Sequence, residues 1–313
     1  MDKQSAATAK ALRRKKWHSL KLFLYLAPFM ACVLIFFYYP LYGWIYAFYD
    51  FRPPARLFDT NFVGFQWFTT LFNTPARRSI LFQVMTNTLA MSGIFLGTSW
   101  LPMVFAVFLT EMKNRRVRKS IQTLTTLPNF VSWVLVYSIA FSMFGVHGIV
   151  NNLLQDAGLI DLPINFLASS NNVWLTMWLW GTWKGLGWGA ILYLAAISGI
   201  DQEMYEAAQV DGAGRMQMIW HITIPSLLPT YFVLLLLSVG NLINNGMEPY
   251  FYFQNAFNMH RIQVLDLYIY NVGLAGGSYS FATAVGMMKS LISVTLLFSI
   301  NRLSKVIRGH SIF

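Results

Sequence analysis

Four polar side chains in an otherwise apolar stretch carry the most suggestive binding chemistry in the chain. Ser238, Asn241 and Asn245 follow the i, i+3, i+7 spacing of one helical face, and Asn244 lies beside them. Inside a bilayer an amide is disfavoured unless it meets a partner or a wet cavity. Hydroxyl-rich ligands such as sugars both donate and accept, which suits amides; hydrogen bonds between helices would satisfy them equally well. Lys184, deep in another apolar segment, is read either as a residue of the same path or as a cation paired with a carbonyl or an acid. Glu248, just beyond the amides, is a candidate for that acid, or it reaches the membrane interface. Trp180, Trp183 and Trp188 are read as packing or interfacial residues.

Covalent chemistry finds no support. The five histidines (His18, His147, His221, His260, His310) are dispersed, so no metal site, no nucleophilic triad and no catalytic residue is expected. Gly181-Thr182-Trp183-Lys184-Gly185 lacks the spacing of a phosphate-binding loop. The single cysteine, Cys32, excludes an internal disulfide. Phe29-Met30-Ala31-Cys32 lacks the usual Leu of a lipoprotein cleavage box and the apolar run continues past it, so Cys32 is read as membrane-buried.

A second constellation is polar and lies between two apolar runs. Glu206-Ala207-Ala208-Gln209-Val210-Asp211-Gly212 is followed by Ile222-Thr223-Ile224-Pro225. Asp201 is expected to cap a helix whose positive end Glu203 and Glu206 favour. Ala207 and Ala208 allow close approach of a neighbouring surface, and Gly212 permits a turn that a side chain would obstruct. Asp211 is expected to cap a second short helix from about Ala213, and Pro225 to stop it. Met216, Met218, Ile219 and Trp220 are apolar residues of a loop and need a cover, for which a groove on a partner is the natural candidate.

These residues need a membrane to be placed. Of 313 residues, 56% are hydrophobic and 11% charged, whereas a soluble domain carries about 25% charged residues. The predicted class is all-α and polytopic, with six spans near 22–49, 80–110, 120–144, 172–199, 226–247 and 281–303. Pro28, Pro40 and Pro102 are expected to kink their helices, and the second span to tilt or break near Pro102. Residues 1–21 form a basic tail, 22–303 the membrane domain with a loop at 200–225, and 304–313 a second tail. Placing both termini inside puts 16 of the 23 Lys and Arg residues in the cytoplasm, together with the 200–225 loop. The net charge of +11 is thereby explained as a topology signal, and a nucleic-acid partner loses its support. The loops at 50–79, 145–171 and 248–280 then lie outside and offer a docking surface.

The spacing from Glu206-Ala207-Ala208 through Gly212 to Ile222-Thr223-Ile224-Pro225 resembles the EAA loop by which permeases of binding-protein-dependent ABC importers dock on their ATPase, with Ile224 where Leu is usual. The likeness extends through Tyr39–Gly43, Asn87-Thr88-Leu89, Leu127–Trp133, Pro163–Leu167, Trp183–Trp188, Tyr193–Ala196, Asp266–Tyr270 and Ala284-Val285-Gly286. These runs are similar to the polysaccharide and oligosaccharide branch of the carbohydrate importers, within the maltose-type superfamily. Pro249 and Lys289 depart from that branch.

The resemblance implies a type I importer permease fold in a bacterial inner membrane. It implies a second, different permease, two ATPase subunits, an external solute-binding protein and a glycan substrate. ATP and Mg would be used by the partner ATPase, with no cofactor held here. Glu206, Ala207, Ala208, Asp211, Gly212, Met216, Ile219 and Pro225 would form the ATPase-coupling surface. Ser238, Asn241, Asn244, Asn245, Lys184 and Glu248 would line the path, since maltose-type relatives present Asn to sugar at a place comparable to Asn245. Two alternatives stay open: an ion-coupled carrier acting alone, and a non-transporting membrane scaffold. The carrier would need acids within its spans, whereas Asp50, Glu111 and Glu248 sit at span ends.

Overall fold

The structure, a computed structural model, describes residue 17 and residues 20–308. The expected tails at 1–21 and 304–313 lie mostly outside the described residues. Helices make up most of the described chain, and the extended pairing among the described residues is a single antiparallel bridge, Tyr49 with Phe62. Five stretches are long and apolar enough to cross a membrane: Leu20–Phe48 (α1), Pro75–Thr110, Trp133–Asp156, Arg215–Gly240 (α10) and Tyr279–Arg302. The expected fourth span is also a helix, Val173–Ser198 (α8), of 26 residues. At about 1.5 Å per residue it has the length to cross, but its Trp, Gly and Lys184 leave it less apolar.

The α1 helix stands apart: none of its most apolar window is buried, and its Tyr39–Phe48 part lies against the last helix. Ahead of Pro40 the helix widens into a π turn at Leu34–Tyr38, then tightens into a 3-10 stretch over Tyr39–Phe48. Such turns absorb the missing donor and bulky ring of proline. After α2 (Gln66–Asn73), the second span breaks as expected, into α3 (Pro75–Gly97) and α4 (Leu101–Thr110). Side chains repair the break. The Thr98 hydroxyl donates to the Ile94 carbonyl at 2.8 Å, the Trp100 indole to the Gly97 carbonyl at 2.9 Å, and the Trp178 indole to the Thr98 hydroxyl at 3.0 Å.

The third span departs from expectation. Residues 120–144 are not one helix: α5 (Arg115–Thr126) ends in a 3-10 turn at Leu127–Phe130, and α6 (Trp133–Phe144) starts anew. Pro128 supplies no amide to continue the α ladder; the backbone tightens into the 3-10 turn with Leu127 still helical and becomes extended at Val131 and Ser132. The apolar run instead continues from α6 through Gly145–Gly148 into α7 (Ile149–Asp156). Asn114 caps α5, its Oδ1 accepting from the Arg116 and Val117 amides at 3.0 and 3.4 Å.

Two packed clusters set the frame. Met91, Val136, Ala140, Val173, Met177, Tyr250 and Phe253 join α3, α6 and α8 to α11 (Glu248–Phe253). Met103, Ala106, Val107, Ala190, Tyr193 and Leu227 join α4, α8 and α10. Between helices in lipid such contacts act by close packing rather than by removal of water. Gly187 shows how close: a β-carbon there would overlap the Thr125 carbonyl, so α8 meets the end of α5 backbone to backbone. The segment after α11 forms α12 (Met259–Ile262) and α13 (Leu265–Tyr270), followed by α14 (Tyr279–Arg308). Polar groups of α3 fasten that segment. Asn87 Nδ2 donates to the His260 and Gln263 carbonyls at 2.9 and 3.1 Å, and Thr88 Oγ1 accepts from the Leu265 amide at 2.8 Å.

Candidate functional site

The amide-bearing segment does not end as a helix. The α10 helix stops at Gly240, and Asn241 occupies its C-cap with its Nδ2 donating back to the Leu237 carbonyl at 3.1 Å. The chain then turns through Asn244 and Asn245 to Gly246, whose φ of +71° favours glycine. The expected i, i+3, i+7 face is therefore corrected: Asn245 lies beyond the helix, because the amides compete with backbone partners and end it. The turn nonetheless brings Ser238, Asn241, Asn244 and Asn245 to the wall of one cavity of about 440 Å³, which Ser92, Phe95 and Tyr250 also line.

Part of the polar capacity of this wall is used between helices. Asn245 Nδ2 donates to Ser92 Oγ at 3.0 Å, and Ser92 Oγ in turn donates a hydrogen bond to the Leu242 carbonyl. Asn244 Nδ2 donates to Ser293 Oγ at 3.2 Å and to Asn241 Oδ1 at 3.4 Å. The remainder is unspent, since Asn245 Oδ1 is buried without a hydrogen-bond partner among the described residues. An unpaired buried carbonyl oxygen costs about 1–3 kcal/mol, whereas Asn241 and Asn244 are exposed at the cavity wall. Interhelical bonds and the cavity wall thus use the same side chains.

Lys184 is not on this wall. Its Nζ donates to the carbonyls of Pro128, Asn129 and Val131 at 3.2, 2.7 and 2.7 Å and lies 5.7 Å from the Trp133 ring centroid. Of the two readings, the carbonyl partner is the one at hydrogen-bond distance: the ammonium supplies three donors to carbonyls in and just beyond the 3-10 turn. Glu248 is not its hydrogen-bond partner; it sits exposed in the first turn of α11, where a carboxylate favours the positive helix end. Trp180 and Trp183 pack edge to face at 5.6 Å, and Trp188 does so with Phe130 at 5.7 Å.

Sequence reasoning passed over one pair. Lys289 on α14 makes an ion pair with Asp266 on α13. A cation in an apolar run calls for an anion, and that rule would have led from Lys289 to the acids of residues 248–280.

The polar loop is built on a helix stop. Asp201 caps α9 (Gln202–Val210), accepting from the Glu203 amide at 3.0 Å. At its other end the Gly212 amide donates to the Gln209 carbonyl at 3.1 Å and the Ala213 amide to the Ala208 carbonyl at 2.8 Å. That reciprocal pattern is a Schellman motif, and it requires the left-handed residue that Gly212 supplies at φ +76°. The spacing from Ala208 to Gly212 is thus the spacing of one helix terminus.

Two expectations for this loop are corrected. Asp211 occupies the C-cap of α9 and does not cap the next helix; Gly214 does, its amide donating to Gln217 Oε1 at 2.8 Å. Pro225 does not stop that helix. Residues Arg215–Gly240 run on through a π turn at Ile219–Thr223, whose wider ladder accommodates the ring. The two arms are tied by Tyr205 Oη and Thr223 Oγ1, 2.9 Å apart.

Outward, the loop shows Glu206, Ala207, Asp211 and Gly212 in the open, with Val210 88%, Met216 66% and Trp220 62% exposed. Ala208 is half-buried and lines, with Gly212, Gln217 and His221, a groove of about 320 Å³ between the arms. Ile219 turns inward instead, packed beside Met103 and Leu227.

The family described as "Binding-protein-dependent transport system inner membrane component" matches residues 102–309. Protein LplB of Bacillus subtilis (strain 168) is 36% identical over 305 residues, 97% of this chain and 93% of that protein. The polygalacturonan/rhamnogalacturonan transport system permease protein YteP of the same organism is 35% identical over 295 residues, 93% and 90% of the two. Among solved structures, a chain of a bacterial ABC transporter involved in the import of the acidic polysaccharide alginate superposes with a TM-score of 0.82 at 32% identity, covering 95% of this chain and 99% of that one. The alginate transporter in complex with an alginate pentasaccharide-bound periplasmic protein gives 0.83 at 31%, covering 95% and 98%. With matched residues that take in α8, the 201–224 loop and the amide-bearing turn, the chain belongs to the inner membrane components of binding-protein-dependent transport systems.

Proposed function

We propose that this chain is one permease subunit of an ATP-driven importer and forms half of a translocation path for an oligosaccharide or related glycan. The observation that carries the reading is the convergence of Ser238, Asn241, Asn244 and Asn245 on one cavity, with the Asn241 and Asn244 amides open to hydroxyls. It accords with the roles of YteP in polygalacturonan/rhamnogalacturonan transport and of the alginate transporter in polysaccharide import.

In this reading the protein spans a bacterial inner membrane six times with both ends inside, α8 being the fourth span. A second permease completes the path, and an external binding protein delivers the glycan. The exposed face of residues 201–224 sits in a groove of a separate ATPase, which binds and hydrolyses ATP with Mg; this chain is non-catalytic. When the paired ATPase subunits close on ATP, they carry the loop inward, and α10, continuous with its second arm, transmits the movement to the amides.

Proteoliposomes holding the complex purified from its native membrane test this. With binding protein outside and ATP inside, they should accumulate at least one of polygalacturonan fragments, arabinooligosaccharides, galactooligosaccharides or alginate pentasaccharide. Accumulation that proceeds without nucleotide, or a complex containing no ATPase, would overturn the reading.

A further inference from the structure

The ion pair that joins Lys289 to Asp266 lies directly behind the amide-bearing turn. Both side chains are largely buried, 15% and 17% exposed. Asp266 is bifunctional: Oδ1 accepts from Lys289 Nζ, while Oδ2 accepts from the Gly246 amide at 2.9 Å. Gly246 is the residue after Asn245 and is itself left-handed. One helical turn beyond Lys289, Ser293 Oγ accepts from Asn244 Nδ2 at 3.2 Å. A single face of α14 therefore holds the Asn244–Gly246 turn at both ends, once directly and once through Asp266. Asp266 is itself fixed, because the Leu265 amide before it is bonded to Thr88 Oγ1 at 2.8 Å and Leu265 and Leu267 are buried.

We infer that Lys289 and Asp266 are positioning residues for the path, a charged brace that sets where Asn244 and Asn245 face the cavity. The inference rests on the path reading above for its functional meaning and on the pair's geometry for the positioning itself. The charges have a reason to be charges. A three-coordinate turn needs an acceptor that can serve two donors at once, and a carboxylate offers two oxygens. The lysine makes that carboxylate tolerable away from water, and removing either partner strands the other charge.

The experiment reads the turn rather than transport. On a Cys32→Ser background, Asn244→Cys with Ser293→Cys is crosslinked by a short bifunctional thiol reagent in the intact complex. Tyr205→Cys with Thr223→Cys, at the far end of the molecule, is the control pair. Lys289→Met or Asp266→Asn should slow the first crosslink at least fivefold and leave the control unchanged. Lys289→Arg should retain the original rate. The double variant Lys289→Met/Asp266→Asn should recover most of it, because Asn Oδ1 still accepts from Gly246 and no charge is stranded. Should a single variant fail to accumulate in the membrane, recovery of accumulation and rate in the double variant reads the same coupling. Unchanged crosslinking in all variants, or a double variant no better than the worse single one, overturns the inference. Separately, Asn245→Ala with unaltered glycan uptake would remove the path reading while leaving the brace intact.

Discussion

Lys184 illustrates how one residue type admits opposite roles until its surroundings are known. Its three carbonyl acceptors, Pro128, Asn129 and Val131, lie where α5 gives way to α6, so it fastens a broken helix. Lys184→Met removes a charged donor from three carbonyls and should cost about 2–3 kcal/mol, measured as a lower unfolding temperature of the detergent-solubilised complex. The apparent KM for the transported glycan should stay as it was, since the cavity is elsewhere. A different pattern is expected at Asn245: Asn245→Ala should raise KM about tenfold, close to 1.4 kcal/mol of lost binding, with the unfolding temperature lowered only by the loss of its Nδ2 hydrogen bond to Ser92 Oγ, about 1 kcal/mol. Residue chemistry in the sequence was enough to gather Ser238, Asn241, Asn244 and Asn245, since amides in an apolar run need a reason to be there. It could not distribute them between helix and turn, nor join Lys289 to Asp266, because those facts depend on where α10 stops and what α14 passes.

At the scale of elements, proline and glycine decided most of what was legible and most of what was not. The stop at Gly212 and the break before Pro102 follow from local backbone rules and were readable from spacing alone. The behaviour at Pro128 and Pro225 was inverted relative to expectation: the chain turns at the first and runs through the second. The difference is tertiary. Lys184 rewards the open turn at Pro128, while a π ladder absorbs Pro225. Contact between α5 and α8 is equally specific. Gly187→Ala places a methyl on the Thr125 carbonyl, which is backbone and cannot swing away, so it should destabilise by about 1–3 kcal/mol. Two residues earlier in the same helix, a β-carbon on Gly185 meets nothing within 4 Å, and Gly185→Ala should be neutral or stabilise by about 0.5–1 kcal/mol. Unfolding temperatures of the two variants side by side check this; equal losses would mean that helix propensity, not the close crossing, governs α8.

For the whole molecule, the questions are what drives it and through which end. The cavity wall and the exposed loop are joined by one continuous helix, Arg215–Gly240, which carries the loop's second arm at one end and delivers Asn241 at the other. A partner that grips the loop differently in two states can therefore act on the cavity without touching it, and only such a differential grip can shift the equilibrium. The loop's own fold limits what substitution can do. Gly212→Pro removes the amide that closes the helix stop and forbids its positive φ, so the outward face should lose its shape while the spans remain inserted. Glu206→Lys keeps the helix and reverses an exposed charge. Both variants should keep ATP hydrolysis by the assembled complex but lose its stimulation by loaded binding protein, and uptake should fall at least tenfold, with Glu206→Lys the more readily dissociated from the ATPase on purification. Collapsing the proton and sodium gradients in the unmodified complex should leave uptake running while ATP lasts. A carrier working alone would show the reverse on both counts: indifference to loop changes, and arrest when the gradient goes.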